Sequence, residues 1–124
     1  MKKPKPKIVC LCGSSRFIVE MAILMWEFEK QGCISLGLHF MPPQYGQAKG
    51  YPANYDHLAE MEGCAVDMDE LHKRKIDLAD EIFVVNVGGY IGNSTQSEIE
   101  YAIAHSKPVK YLESVATKEE HNAH

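Results

Sequence analysis

The sequence predicts an α/β protein, a flavodoxin-like or Rossmann-like three-layer sandwich whose parallel sheet has four or five strands in the order 2-1-3-4. Three observations carry that expectation. Lys7 to Cys12, Cys33 to Leu38, Glu81 to Val87 and Pro108 to Leu112 are short apolar runs with little polar alternation, as suits strands buried on both faces of a parallel sheet. Segments with apolar residues at helical spacing separate them. The first strand, helix and second strand fit within about 30 residues, the size of one βαβ unit. The chain has 124 residues, 45% hydrophobic and 24% charged, which fits one globular domain and excludes a disordered chain or a coiled coil.

Each element follows from its residues. Residues 1–6 are basic and broken by Pro4 and Pro6, and are read as a frayed tail, as are residues 114–124. Phe17, Met21, Leu24, Met25 and Phe28 form one helical face, and Gly32 is placed to end that helix. From His39 to about Gly63 the chain carries Pro42, Pro43, Gly46, Gly50 and Pro52. That stretch is expected to be a long binding loop or lid, with Tyr45, Tyr51 and Tyr55 available to stack on a flat ligand or simply to pin the loop. Val66 to Leu78 reads as a helix with Met68, Leu71, Lys75 and Leu78 near one face, and Ser94 to Ser106 as another.

Charge and cysteine content bound the function. Thirteen Lys and Arg against seventeen Asp and Glu give a formal net charge of −4, so broad nucleic-acid or anionic-membrane binding is not expected. No apolar run reaches the roughly 20 residues of a membrane span, and none after the N-terminus suits a signal peptide, so the chain is expected to be cytoplasmic. The four cysteines are then free thiols. Cys10 and Cys12 share one buried face of a strand, Cys33 and Cys64 are isolated, and metal ligation is not expected from the spacing; the reading reached below requires no cofactor.

In a 2-1-3-4 sheet the order reverses between strands one and three, and ligands bind beyond their carboxyl ends. The loops leaving those strands are Gly13-Ser14-Ser15-Arg16 and Gly88 to Ser94. The first offers backbone N–H groups, hydroxyls and a guanidinium to an anion, or else a serine cap beside a solvated arginine. It is neither a dinucleotide fingerprint nor a P-loop. The second leads into Thr95-Gln-Ser-Glu98, whose spacing favours a capping box. Freed from that role, Glu98 would be a carboxylate in a first helical turn, aimed at a pocket and competent to attack a sugar anomeric carbon. His72, on the preceding helix, is a structural residue or an acid/base. Around it, Asp69 with Lys73, Glu70 with Arg74 and Asp77 with Lys73 have ion-pair spacing.

A strand ending in Cys12-Gly13-Ser14, a helix ending in Ala79-Asp80 before an apolar strand, and a glycine-rich loop leading into Glu98-Ile-Glu-Tyr-Ala102 together resemble the nucleoside 2-deoxyribosyltransferase superfamily. That group includes the 2'-deoxynucleoside 5'-monophosphate N-glycosidases. The resemblance implies that Glu98 attacks C1' of a nucleotide or nucleoside, and that a base or water resolves the glycosyl-enzyme. It further implies that Ser14, Ser15 and Arg16 hold a 5'-phosphate, with Ser94 contributing. The family's aspartate falls on His72, eight residues before Asp80; Asp69 or Glu70 is the substitute if His72 is not the acid/base. Glu100 stands where the family has a glycine, Cys10 where the first strand often has an aromatic residue, and the C-terminal extension is nearly absent.

The reading is N-glycosidic cleavage, by hydrolysis or transfer, with Glu98 and His72 catalytic. Gly13, Ser14, Ser15 and Arg16 bind phosphate. Asn86, Gly88, Gly89, Asn93 and Ser94 line the facing wall, and Tyr45 and its neighbours sense the base. The expected partner is a small nucleotide or nucleoside, in a homodimer or larger homo-oligomer, without nucleic acid or membrane. The rivals are a non-catalytic nucleotide-binding module and a phosphoribohydrolase releasing a modified adenine, whose glycine-rich motif Gly89 to Glu98 loosely echoes.

Overall fold

In the computed structural model, which describes residues 4–52 and 57–115, the expected strands are β1 (Ile8–Cys12), β2 (Ile34–Leu36), β3 (Glu81–Val84) and β4 (Val109–Tyr111). They form one all-parallel sheet in the order β2-β1-β3-β4, with four strands. Among the described residues five α-helices accompany them: α1 (Ile18–Lys30), α2 (Pro43–Lys49), α3 (Leu58–Met61), α4 (Ala65–Leu78) and α5 (Asn93–Ala104). Tyr55 and the outer parts of both expected tails, residues 1–3 and 116–124, lie outside the described residues.

The pleat of β1 divides the interior in two. Val9 and Leu11 pack with Phe17, Met21 and Val85 on the α1 side. Cys10 and Cys12 point the other way, into a cluster with Ile76 of α4 and Ile99 and Ala102 of α5. This is the period-two alternation of any strand, made visible because both faces of a central parallel strand are covered. The helical face of α1 is the one its spacing predicts, and Gly32, at φ +91°, ends it.

Two expectations need correction. The stretch from His39 to Gly63 is not one long loop, because α2 and α3 lie in it. The prolines that suggested a loop start a helix: Pro43 takes the first position of α2, where a missing N–H costs nothing, and Gly50 closes it at φ +75°. The inward face of α4 is also not Met68, Leu71 and Leu78, which are exposed. His72 and Ile76 turn in instead, with Ala79 just beyond the helix. The buried stripe is narrow and carries a polar residue, so apolar spacing pointed to the wrong side. Among the described residues no helix is long and apolar enough to cross a membrane.

Polar ties close the sheet at both ends. Asp80 accepts a hydrogen bond from the N–H of Ile8 at 2.8 Å and donates its own N–H to Ile8 O, which fixes the register of β1 against β3. Lys107 donates to the carbonyls of Ala79 at 2.7 Å and Asp77 at 3.2 Å. Asn86, 1% exposed, pairs with the backbone of Glu113 in both directions, donating to its carbonyl at 3.0 Å and accepting from its N–H at 2.9 Å. Asn86→Ala leaves both backbone groups without that partner and is expected to cost about 2 kcal/mol, roughly 8 °C in Tm. A thermal melt in which Asn86→Ala matches the wild type would show that the clamp does not hold the end of β4.

Candidate functional site

The carboxyl ends of β1 and β3 lie side by side, with Cys12 opposite Val84 and Val85 N–H donating to Cys12 O at 2.8 Å. The two loops singled out in the sequence therefore meet. Gly13 sits so close to Val85 that a Cβ there would stand 3.1 Å from Val85 O and 3.2 Å from Val85 Cβ. Ser14 accepts a hydrogen bond from Arg16 N–H at 3.3 Å and caps a 3₁₀ turn over Ser15–Phe17. The Arg16 guanidinium lies 3.9 Å from the centre of the Tyr90 ring, a cation–π contact that joins the two loops. Gly88 and Gly89, at φ +65° and +80°, make the tight left-handed turn that β-carbon-bearing residues resist. Gly88 N–H donates to the Glu113 carboxylate at 2.7 Å.

The capping box does not form. α5 begins one turn earlier than that motif requires, with Gly92 at the N-cap and no side-chain cap bond. Thr95 is thus buried inside the helix, and Glu98 lies in the second turn, not the first. Its side chain points inward, where it is 6% exposed and 3.9 Å (Oε1) from Nε2 of His72. His72 is 2% exposed, and its Nε2 is 3.5 Å from Cys10 Sγ. Among the described residues His72 Nδ1 has no hydrogen-bond partner. Glu98 also floors a cleft of about 230 Å³ between α4 and α5, lined by Asp69, Lys73, Asn93, Ser94 and Ser97.

Burial sets the electrostatics. It pushes Glu98 from the ordinary carboxylate range up to about 7, against the pull of the His72 charge. For His72 burial works downward, but the hydrogen bond with Cys10 and the charge of Glu98 outweigh it, and its basicity is raised. The hydrogen bond from Cys12 lowers the Cys10 thiol, helped by His72, while Cys12 is raised by the same contact and by burial. Cys10, Cys12, His72 and Glu98 thus lie close enough for each to bias the others' protonation.

The cleft gathers Asn93, Ser94 and Glu98 of the expected site and reaches His72 through Glu98. Gly13, Ser14, Ser15 and Arg16 do not line it. Asn86 is turned to Glu113, and the Tyr45 hydroxyl donates to Glu62 at 2.6 Å, as Tyr51 does at 2.7 Å. Of the expected ion pairs on α4, Glu70–Arg74 forms at 3.3 Å, and Arg74 rather than Lys73 reaches Asp77, at 3.0 Å. Lys73 faces the cleft. Spacing missed Lys73, Ser97 and the site position of Cys10 and Cys12. The shared strand face of the two cysteines was legible, but what lay opposite it was not. Set against protein families, curated proteins and solved structures, the chain matches none.

A raised Glu98 carboxyl weighs on stability in a definite direction. Between the unfolded value and about 7 the folded chain holds a proton that the unfolded chain releases, so this contribution is full at low pH and lost as pH rises to about 7. In metal-free buffer Glu98→Gln is therefore expected to raise Tm at pH 8 by on the order of 1 kcal/mol, about 4 °C, and less at pH 5. Equal Tm changes at the two pH values would contradict a buried, proton-holding Glu98.

Proposed function

We propose that the protein cleaves the N-glycosidic bond of a nucleoside 5'-monophosphate or nucleoside, by hydrolysis in preference to transfer, through a covalent glycosyl–Glu98 intermediate. One observation carries the reading: a buried carboxyl group, free of any helix cap, stands beside a histidine and lines a cleft of about 230 Å³. The resemblance of the Gly13 to Arg16 loop and of Glu98 to Ala102 to the nucleoside 2-deoxyribosyltransferase superfamily supports it from the sequence.

In the first step an oxygen of Glu98 in its ionised form, which gains ground as pH rises through about 7, attacks C1', and the C1'–N bond breaks with its electron pair passing to the base. The base takes up the proton of the His72 imidazolium. Water then attacks C1', gives its proton back to the imidazole, and frees Glu98 with the sugar phosphate. The positive charge that develops on the sugar ring is met by a carboxylate shielded from water, where Coulomb attraction is strong. Asp69 lines the open cleft and is the other candidate proton donor. Glu70 is engaged by Arg74. Ser14, Ser15 and Arg16 are assigned to the phosphate, with Ser94 and Asn93 at the mouth of the cleft.

A homodimer or larger homo-oligomer and a cytoplasmic setting belong to the same reading. The outer face of α1 exposes Val19, Ile23 and Trp26 one turn apart, an apolar stripe of the kind that a second copy covers. All four cysteines are free thiols.

Free-base release, followed by chromatography over a panel of ribo- and deoxyribonucleoside 5'-monophosphates and their nucleosides, tests the activity. Glu98→Gln is expected to lower release on the order of 10⁴-fold, and loss of the true proton donor about 10²-fold or more, so His72→Gln and Asp69→Asn identify it. Nucleotide binding without release, unchanged by Glu98→Gln, would replace the enzyme with a binding module. Separately, Trp26→Glu is expected to reduce the sedimentation coefficient to that of a monomer; an unchanged oligomer would place the interface elsewhere.

A further inference from the structure

We propose that Cys10, Cys12 and His72 form a binding site for a thiophilic divalent cation of the zinc class, with Glu98 as fourth donor. Spacing along the chain argued against such a site, because no paired zinc-type motif is present. The fold supplies what spacing lacks. The strand period sets two sulfurs on one face of β1, and α4 presents an imidazole across from them. The three donor atoms lie within 4.8 Å of one another, all on buried side chains.

The distances suit a tetrahedral centre. With metal–sulfur bonds of about 2.3 Å and metal–nitrogen bonds of about 2.05 Å, the sulfur–nitrogen edge is about 3.6 Å. Cys10 Sγ and His72 Nε2 stand 3.5 Å apart. The nitrogen–oxygen edge would be about 3.3 Å, and His72 Nε2 stands 3.9 Å from Glu98 Oε1, so Glu98 lies beside the three-donor group and would have to move inward to complete the shell. Two thiolates, an imidazole and a carboxylate select zinc-like ions over magnesium or calcium, and the two thiolates alone neutralise the cation in a buried place.

The imidazole nitrogen that faces the sulfurs is itself only weakly held. Nε2 has only a sulfur at 3.5 Å and an oxygen at 3.9 Å. The imidazole is thus held against three donors without a strong hydrogen bond of its own. Glu98 floors the cleft, which gives an ion a way in from solvent. This site does not rest on the glycosidase reading, although the two share His72 and Glu98. A bound ion would occupy both and block base release.

Cobalt(II) titration of the chelator-treated full chain tests the proposal without reference to activity. One ion per chain is expected, with a thiolate-to-cobalt charge-transfer band and intense tetrahedral d–d bands, all displaced by zinc. Cys12→Ser is expected to weaken binding at least about 10-fold, while the double variant Cys33→Ser/Cys64→Ser leaves it unchanged. Because Cys12 lies in the core, X-ray absorption of the zinc-loaded wild type provides a readout that needs no variant. Two sulfurs at about 2.3 Å with nitrogen or oxygen at about 2.0–2.1 Å are expected. No binding, a shell of nitrogen and oxygen only, or charge transfer lost with Cys33 and Cys64 would each overturn the site.

Discussion

The structure depends on the position of β1, a strand hydrogen-bonded on both edges and covered on both faces. Its neighbours β2 and β3 fix its register, through Ile8 to Ile34 on one side and Cys12 to Val84 on the other. Once that register is set, the pleat leaves no choice about which side chains meet which helix. Val9 and Leu11 are committed to α1, Cys10 and Cys12 to α4 and α5. A slip of one residue would exchange the two sets and put leucine where the polar cluster lies. The strand also ends at Gly13, where close contact with Val85 leaves little room for a side chain.

Four polarisable or ionisable groups then share a small buried volume: Cys10, Cys12, His72 and Glu98. Burial raises the Glu98 carboxyl, and its neighbours determine how protons are divided among the four. Clusters of this kind are costly to stability and concentrate at functional sites. The proposed nucleophile and the proposed metal ligands are two uses of one arrangement. In the proposed reaction a substrate would approach it from the cleft side of Glu98, and in the proposed metal site an ion would seat between the sulfurs and the imidazole.

Much of the fold was legible because parallel strands and their helices write a strong pattern: four apolar runs, a helical face from Phe17 to Phe28, and Gly32 at its end. The glycine-rich loops after β1 and β3 were placed side by side by topology alone. Four features were not legible, for physical reasons. The prolines at Pro42 and Pro43 are compatible with a loop or with a helix start, and only packing decides. The Thr95 to Glu98 spacing satisfies a capping box, but the helix begins earlier, at Asn93, because the glycine turn at Gly88 and Gly89 leads the chain to Gly92 as the cap. The inward face of α4 carries His72, so a reading based on apolar residues chose the exposed Met68, Leu71 and Leu78. The proximity of His72, Cys10 and Glu98 joins residues far apart in the chain, which spacing cannot convey.

The central claim is that Glu98 is the atom-bearing partner of the sugar, not a buried bystander. The most direct measurement is peptide-mapping mass spectrometry of the wild-type protein after incubation with a 2'-fluoro nucleoside 5'-monophosphate, in which the electronegative substituent slows breakdown of a glycosyl-enzyme. The account predicts one added fluoroglycosyl phosphate, carried by the peptide that contains Glu98 and located on that residue. Base release with no adduct, or an adduct on any other side chain, would contradict it.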